Sequence, residues 1–208
     1  MATTDIMRDA QRPLAEYAYD LKMKYGLTYG QTREQFMLMY EAQEIQLSSV
    51  YENLFVAART AIGKPVTRES REGYDFSNLG DMKIGVLQKD DTKNEARRFV
   101  ISGVANKLGT IYFVGWNWIT NEVCFFAIPF TCYYSYKTVL RKRKVRSRNR
   151  QGWKWETYEE KVIDHTTETG HPRFGYKILV NPKTGERSGG YYNNHCAYNS
   201  FEEMAAQD

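Results

Sequence analysis

Glu72-Gly73-Tyr74-Asp75-Phe76-Ser77-Asn78-Leu79-Gly80-Asp81-Met82-Lys83-Ile84-Gly85-Val86-Leu87 reads as strand, turn and strand. Ser77-Asn78-Leu79-Gly80 has turn chemistry, because Asn and Gly accept left-handed backbone and Ser and Asn side chains bond their own main chain. Ile84-Gly85-Val86-Leu87 is a short apolar run of the kind a buried central strand presents. Side chains alternate along a strand with a period of two, so Asp81 and Lys83 point the same way and Asp75 ends the strand before them. Two carboxylates and an ammonium would then meet at one point. Such a cluster can hold a hard divalent cation while the lysine faces a water or a phosphate. The same triplet also occurs on ordinary solvated strand faces, so its surroundings decide between the two.

Downstream, Lys89-Asp90-Asp91 is a charged turn, and Ala96, Phe99, Val100, Val104 and Leu108 recur at helical spacing, which predicts a helix over 93–108 stopped by Gly109. Thr110 to Trp118 and Glu122 to Ile128 are rich in β-branched and aromatic residues and flank Ile119-Thr120-Asn121, the pattern of two strands joined by a tight turn. Upstream, Thr32 to Ile62 has little Gly or Pro and a helical run of apolar residues, predicting one long helix or two short ones closed by Gly63-Lys64-Pro65. Glu52 lies late on it. The predicted order is helix, strand, strand, helix, strand, strand, an α/β (α+β) fold with a central mixed sheet flanked by helices.

Asp75 and Asp81-x-Lys83, with a helical Glu upstream, resemble the active-site motif of the PD-(D/E)xK nucleases, a superfamily that includes many type II restriction endonucleases. Tyr74 stands where that motif has its proline, and the resemblance covers about residues 34–130. It implies a restriction-endonuclease-like αβββαβ core and an Mg²⁺-dependent (or Mn²⁺-dependent) endodeoxyribonuclease acting on double-stranded DNA as a homodimer. Asp75, Asp81, Glu52 and the backbone carbonyl of Met82 would be the metal ligands, and Lys83 would activate the attacking water. Glu44 and Glu41 are further candidates for the helical carboxylate.

The net charge of +4 conceals a strong asymmetry: 137–150 holds eight Lys or Arg and no acid, which leaves the rest of the chain with an excess of acid. Arg141, Lys142, Arg143, Lys144, Arg146, Arg148 and Arg150 are concentrated enough to compete for phosphates and release condensed counterions, so DNA is the expected partner. Tyr133, Tyr134, Tyr136, Trp153 and Trp155 flank the run and could stack on bases, although a strand buried on one face has the same composition. No apolar stretch is long enough to cross a bilayer, and Met1 to Ile6 lacks the basic and apolar regions of a signal peptide. A cytoplasmic protein with no membrane partner is expected. Cys124, Cys132 and Cys196 have no metal-ligand spacing, consistent with structural thiols in a reducing compartment.

Three regions follow: an N-terminal helical element over 1–31, a catalytic core over 32–136, and a basic segment with a β-rich or irregular appendage over 137–208. Leu14, Tyr17, Ala18, Leu21 and Tyr25 predict the first helix. Trp153 to Val162 and Tyr176 to Val180 have strand character, and Ser200-Phe201-Glu202-Glu203 can open a short terminal helix. Two other functions stay open. One is a non-enzymatic DNA-binding accessory protein that uses 137–150 alone. The other is a His-metal (HNH-like) nuclease, which Asp164-His165, His171 and Asn194-His195 resemble, with His165 as base and His195 as ligand.

Overall fold

The computed structural model describes residues 2–71, 74–89, 97–102, 109–129, 135–146, 152–164, 175–188 and 196–208. It is a mixed α/β structure, and the chain divides into two compact units, 1–132 with 174–208 and 133–173.

In the first unit, α1 (Ala2–Lys24), α2 (Arg33–Glu41) and α3 (Leu47–Ala61) come first. The predicted helical stretch is two helices. Thr32 caps α2 with its side chain on the Gln35 N–H while Gln35 reaches back to the Thr32 amide, a reciprocal capping box. Gln43 takes a left-handed backbone (φ 63°) and ends that helix without Gly or Pro. Six strands then make the main sheet: β1 (Arg68–Arg71), β2 (Tyr74–Phe76), β3 (Gly80–Val86), β6 (Thr110–Asn117), β7 (Glu122–Ile128) and β11 (Ala197–Tyr198), in spatial order β1-β2-β3-β6-β7-β11. The sheet is mixed: β3 and β6 are parallel, with Asp81 beside Ile111 and Lys83 beside Phe113, and the other pairs are antiparallel. The two expected turns are present. Asn78 (φ 53°) turns β2 into β3, and Asn121 (φ 59°) turns β6 into β7.

Alternation gives the main sheet two apolar faces. Met82, Tyr112, Val114 and Phe125 join the core built on α1, α2, α3 and the short α4 (Phe201–Ala205). There Phe55 lies 4.4 Å from both Phe76 and Tyr112, and Phe201 touches Tyr51 and Phe125. Arg59, nearly buried on α3, donates to the carbonyls of Ala205 and Gln207 and so ties the end of α4 to α3.

The opposite face overturns one expectation. Arg97–Ser102 is not helical but a strand, β5, paired with β4 (Gln88–Lys89) and β10 (Gly175–Val180) in a second sheet ordered β10-β5-β4. Phe99 and Ile101 alternate inward, and Phe99 meets Phe113 and Phe126 of the main sheet at 5.6 and 5.7 Å. Parallel strands require a long crossover between them, and here the described part of the β3-to-β6 crossover is made of strands. The remainder of the predicted helix, 93–96 and 103–108, lies outside the described residues. The helices therefore pack on one face of the main sheet and a second sheet covers the other.

The second unit contains a long hairpin of β8 (Ser135–Arg146) and β9 (Trp153–Asp164), antiparallel over twelve residues each. Among the described residues no helix is long and apolar enough to cross a membrane.

Candidate functional site

Two groupings of polar residues stand out, one in each unit. The first forms where β2 and β3 separate. Their backbones are paired at Phe76 and Gly80, and beyond that point the Asp75 side chain takes over: its Oδ2 accepts the Met82 N–H at 3.0 Å. The Asp75 carboxylate thus lies against the peptide that joins Asp81 to Met82. Glu52, on the flank of α3 beside buried Tyr51 and Phe55, is only 14% exposed and pairs with Arg68 of β1. Arg68 also donates to Asn53 Oδ1 (3.1 Å) and Ser49 Oγ (3.3 Å), which fixes it against three residues of the helix. Burial, and then the Asp75 carboxylate, push the Glu52 carboxyl above its usual range, while Arg68 and Lys83 pull it back part of the way. Asp75, Arg68 and Lys83 therefore all act on Glu52.

Asp81 is fully buried, and its neighbour Met82 turns into the core under α3. Among the described residues no three His, Cys, Asp or Glu side chains stand together as a metal group. Glu52 engages Arg68 and Asp75 accepts an amide N–H, each through one carboxylate oxygen. Glu41 pairs with Arg12 at the helical surface, and Glu44 is exposed. His165, His171 and His195 lie outside the described residues, as do Arg148 and Arg150.

The second grouping is on the hairpin. Residues directly opposite in an antiparallel pair share a face, so Leu140, Lys142, Lys144 and Arg146 stand with Glu159, Thr157, Trp155 and Trp153. Trp153 and Trp155 are 68% and 63% exposed, and Leu140 is 72% exposed. Lys144 Nζ lies over the Trp155 ring, 5.4 Å from its centroid. On the other face Arg141 pairs with Glu160, and Arg143 pairs with Glu156 at 3.2 Å while lying over Tyr158. The basic run is therefore split: Arg141 and Arg143 are ion-paired, whereas among the described residues no ion pair engages Lys142, Lys144 or Arg146.

Arg68 and this division were missed in the sequence. Nothing local marks Arg68, because it meets Glu52 only through the packing of β1 on α3. The division did have a signal, since Trp153 and Trp155 are two apart and a strand puts them on one side.

Comparison with known protein families, curated proteins and solved structures finds no match. The resemblance to the PD-(D/E)xK nucleases thus rests on the residues of the motif themselves.

Proposed function

We propose that the protein binds nucleic acid through the β8–β9 hairpin. The carrying observation is the exposed face on which Lys142, Lys144 and Arg146 stand opposite Thr157, Trp155 and Trp153. Cations free of protein carboxylates can exchange condensed counterions for phosphates, and exposed indoles supply flat apolar area beside them. Arg141 and Arg143, spent on Glu160 and Glu156, support the hairpin and contribute less to the ligand.

The test is binding of labelled DNA and RNA by fluorescence anisotropy across a salt series. The wild type binds, and log affinity falls linearly with log salt. Changing Lys142, Lys144 and Arg146 together to Ala weakens every nucleic acid and reduces the slope by about 0.7–0.9 per lost phosphate contact. Changing Arg141 and Arg143 to Ala has a smaller effect. A wild type that binds no nucleic acid at low salt refutes the proposal.

A second reading, phosphodiester hydrolysis of that nucleic acid, is favoured by one observation: the Asp75 carboxylate lies against the Asp81–Met82 peptide while Lys83 and Asp75 both act on Glu52. Elevated carboxyl pKa values beside a lysine are typical of sites that move protons. Incubation of plasmid with the protein in Mg²⁺ or Mn²⁺, with an EDTA control, decides it. Cleavage lost in Asp75→Asn and Lys83→Ala supports the reading; cleavage unaffected in both removes these residues from it.

A further inference from the structure

We infer that the ligand of the hairpin is a single strand, DNA or RNA, whose bases stack on Trp153 and Trp155; this rests on the nucleic-acid reading above. Trp153 and Trp155 are two residues apart on β9, so their rings are set about 6.8 Å apart along the strand. Bases stacked in a duplex rise by about 3.4 Å, and their faces are covered by one another. Two rings at twice that spacing suit two neighbouring bases that have been pulled apart. Every base has a π-face, so this mode tolerates sequence, and base–aromatic stacking of this kind is how single strands are commonly held.

The cations fit the same geometry. Lys144 stands opposite Trp155 and Arg146 opposite Trp153, which gives each ring its own positive partner across the hairpin. Lys144 covers one face of the Trp155 indole at 5.4 Å, so a base takes the other and the ammonium stays near that nucleotide's phosphate. Lys142 continues the row by one further step of the strand. A two-stranded ribbon also fits the major groove of a duplex, and Lys142, Lys144, Arg146, Thr157 and Glu159 of this face can hydrogen-bond there. What a groove leaves unused is the apolar area of Trp153, Trp155 and Leu140, each 63–72% exposed to water. Such large apolar surfaces gain more from stacking than from a groove lined with hydrogen-bonding edges.

The experiment uses the full chain and four probes: an oligothymidine, an oligouridine, a fully paired duplex of mixed sequence, and vesicles containing phosphatidylserine. Affinity is read by anisotropy or co-sedimentation and ring contact by quenching of tryptophan emission. One or both single strands bind more tightly than the duplex and quench the emission, and their ranking tells DNA from RNA. Trp153→Ala and Trp155→Ala each weaken single-strand binding by about tenfold without changing the salt slope, because phosphate contacts remain. Trp153→Phe and Trp155→Phe restore most of the affinity and show that the hairpin still forms. Duplex binding equal to single-strand binding and unaffected by the alanine changes overturns this inference while leaving the nucleic-acid reading in place. Binding to vesicles and to no nucleic acid overturns both.

Discussion

Glu52 is a carboxylate placed where its charge is disfavoured. It is 14% exposed, lies in the field of Asp75, and its carboxyl is raised above the usual range despite Arg68 and Lys83. A raised carboxyl contributes stability that is fully present below the ordinary carboxylate range and is lost as pH rises through the raised value. At neutral pH the fold therefore carries a charge that it would be more stable without. Glu52→Gln keeps the shape and removes the charge, so its melting temperature should exceed that of the wild type at pH 7. The gap should close near about pH 4, where the wild-type carboxyl is itself becoming neutral. Melting curves at the two pH values check this; a gap unchanged between them would mean that the carboxyl is not raised, and a variant that melts below the wild type at pH 7 would mean that the Arg68 pair outweighs burial. The Cys124 thiol illustrates the same physics without a site: burial pushes it up to about 11, and it stays a neutral core group.

At the scale of elements, β6 is tightly constrained because it is covered on both faces. A Cβ at Gly115 would come within 2.6 Å of a Phe99 ring carbon and 2.8 Å of one in Phe113, both rings being buried. Gly115→Ala should cost about 1–3 kcal/mol through overpacking, measured by urea titration. An exposed site such as Gly63, whose Cβ would meet nothing within 4 Å, lacks that clash, though its φ of +75° adds backbone strain of its own. This crowding also explains what the sequence did and did not disclose. β3, β6 and β7 were legible because Asn78 and Asn121 punctuate apolar runs whose partners are close in the chain. β5 was not. Phe99, Val100 and Val104 satisfy helical spacing, while the alternation of Phe99 with Ile101 is too short to prevail, and what selects the strand is its pairing with the distant β10. Of the candidate site, the sequence marked Asp75, Lys83 and Glu52, and Asp75 and Lys83 both act electrostatically on Glu52; the ion pair that holds Glu52 depends on Arg68, a tertiary contact with no local mark.

For the whole molecule, the hairpin is a separable unit whose ends lie side by side, since Ser135 is paired with Asp164. Replacing 135–164 by a short Gly-Ser linker should leave the melting temperature of the first unit within a few degrees and abolish nucleic-acid binding. Calorimetry and anisotropy on one sample check both halves of that statement, and retained binding would move the interface to the first unit. Within that unit, the order in which the pieces arrive has a consequence for biosynthesis. β10 closes one edge of β5 and β11 closes the outer edge of β7, yet both lie about seventy residues or more further along the chain than the strands they close. Until the ribosome has released those residues, two strands that carry core side chains, Phe99 and Ile101 on one and Phe125 and Phe126 on the other, present open backbone to whatever is near. Productive folding therefore waits on the slowest, longest-range closures, and a prematurely stopped chain is a substrate for aggregation and for chaperones.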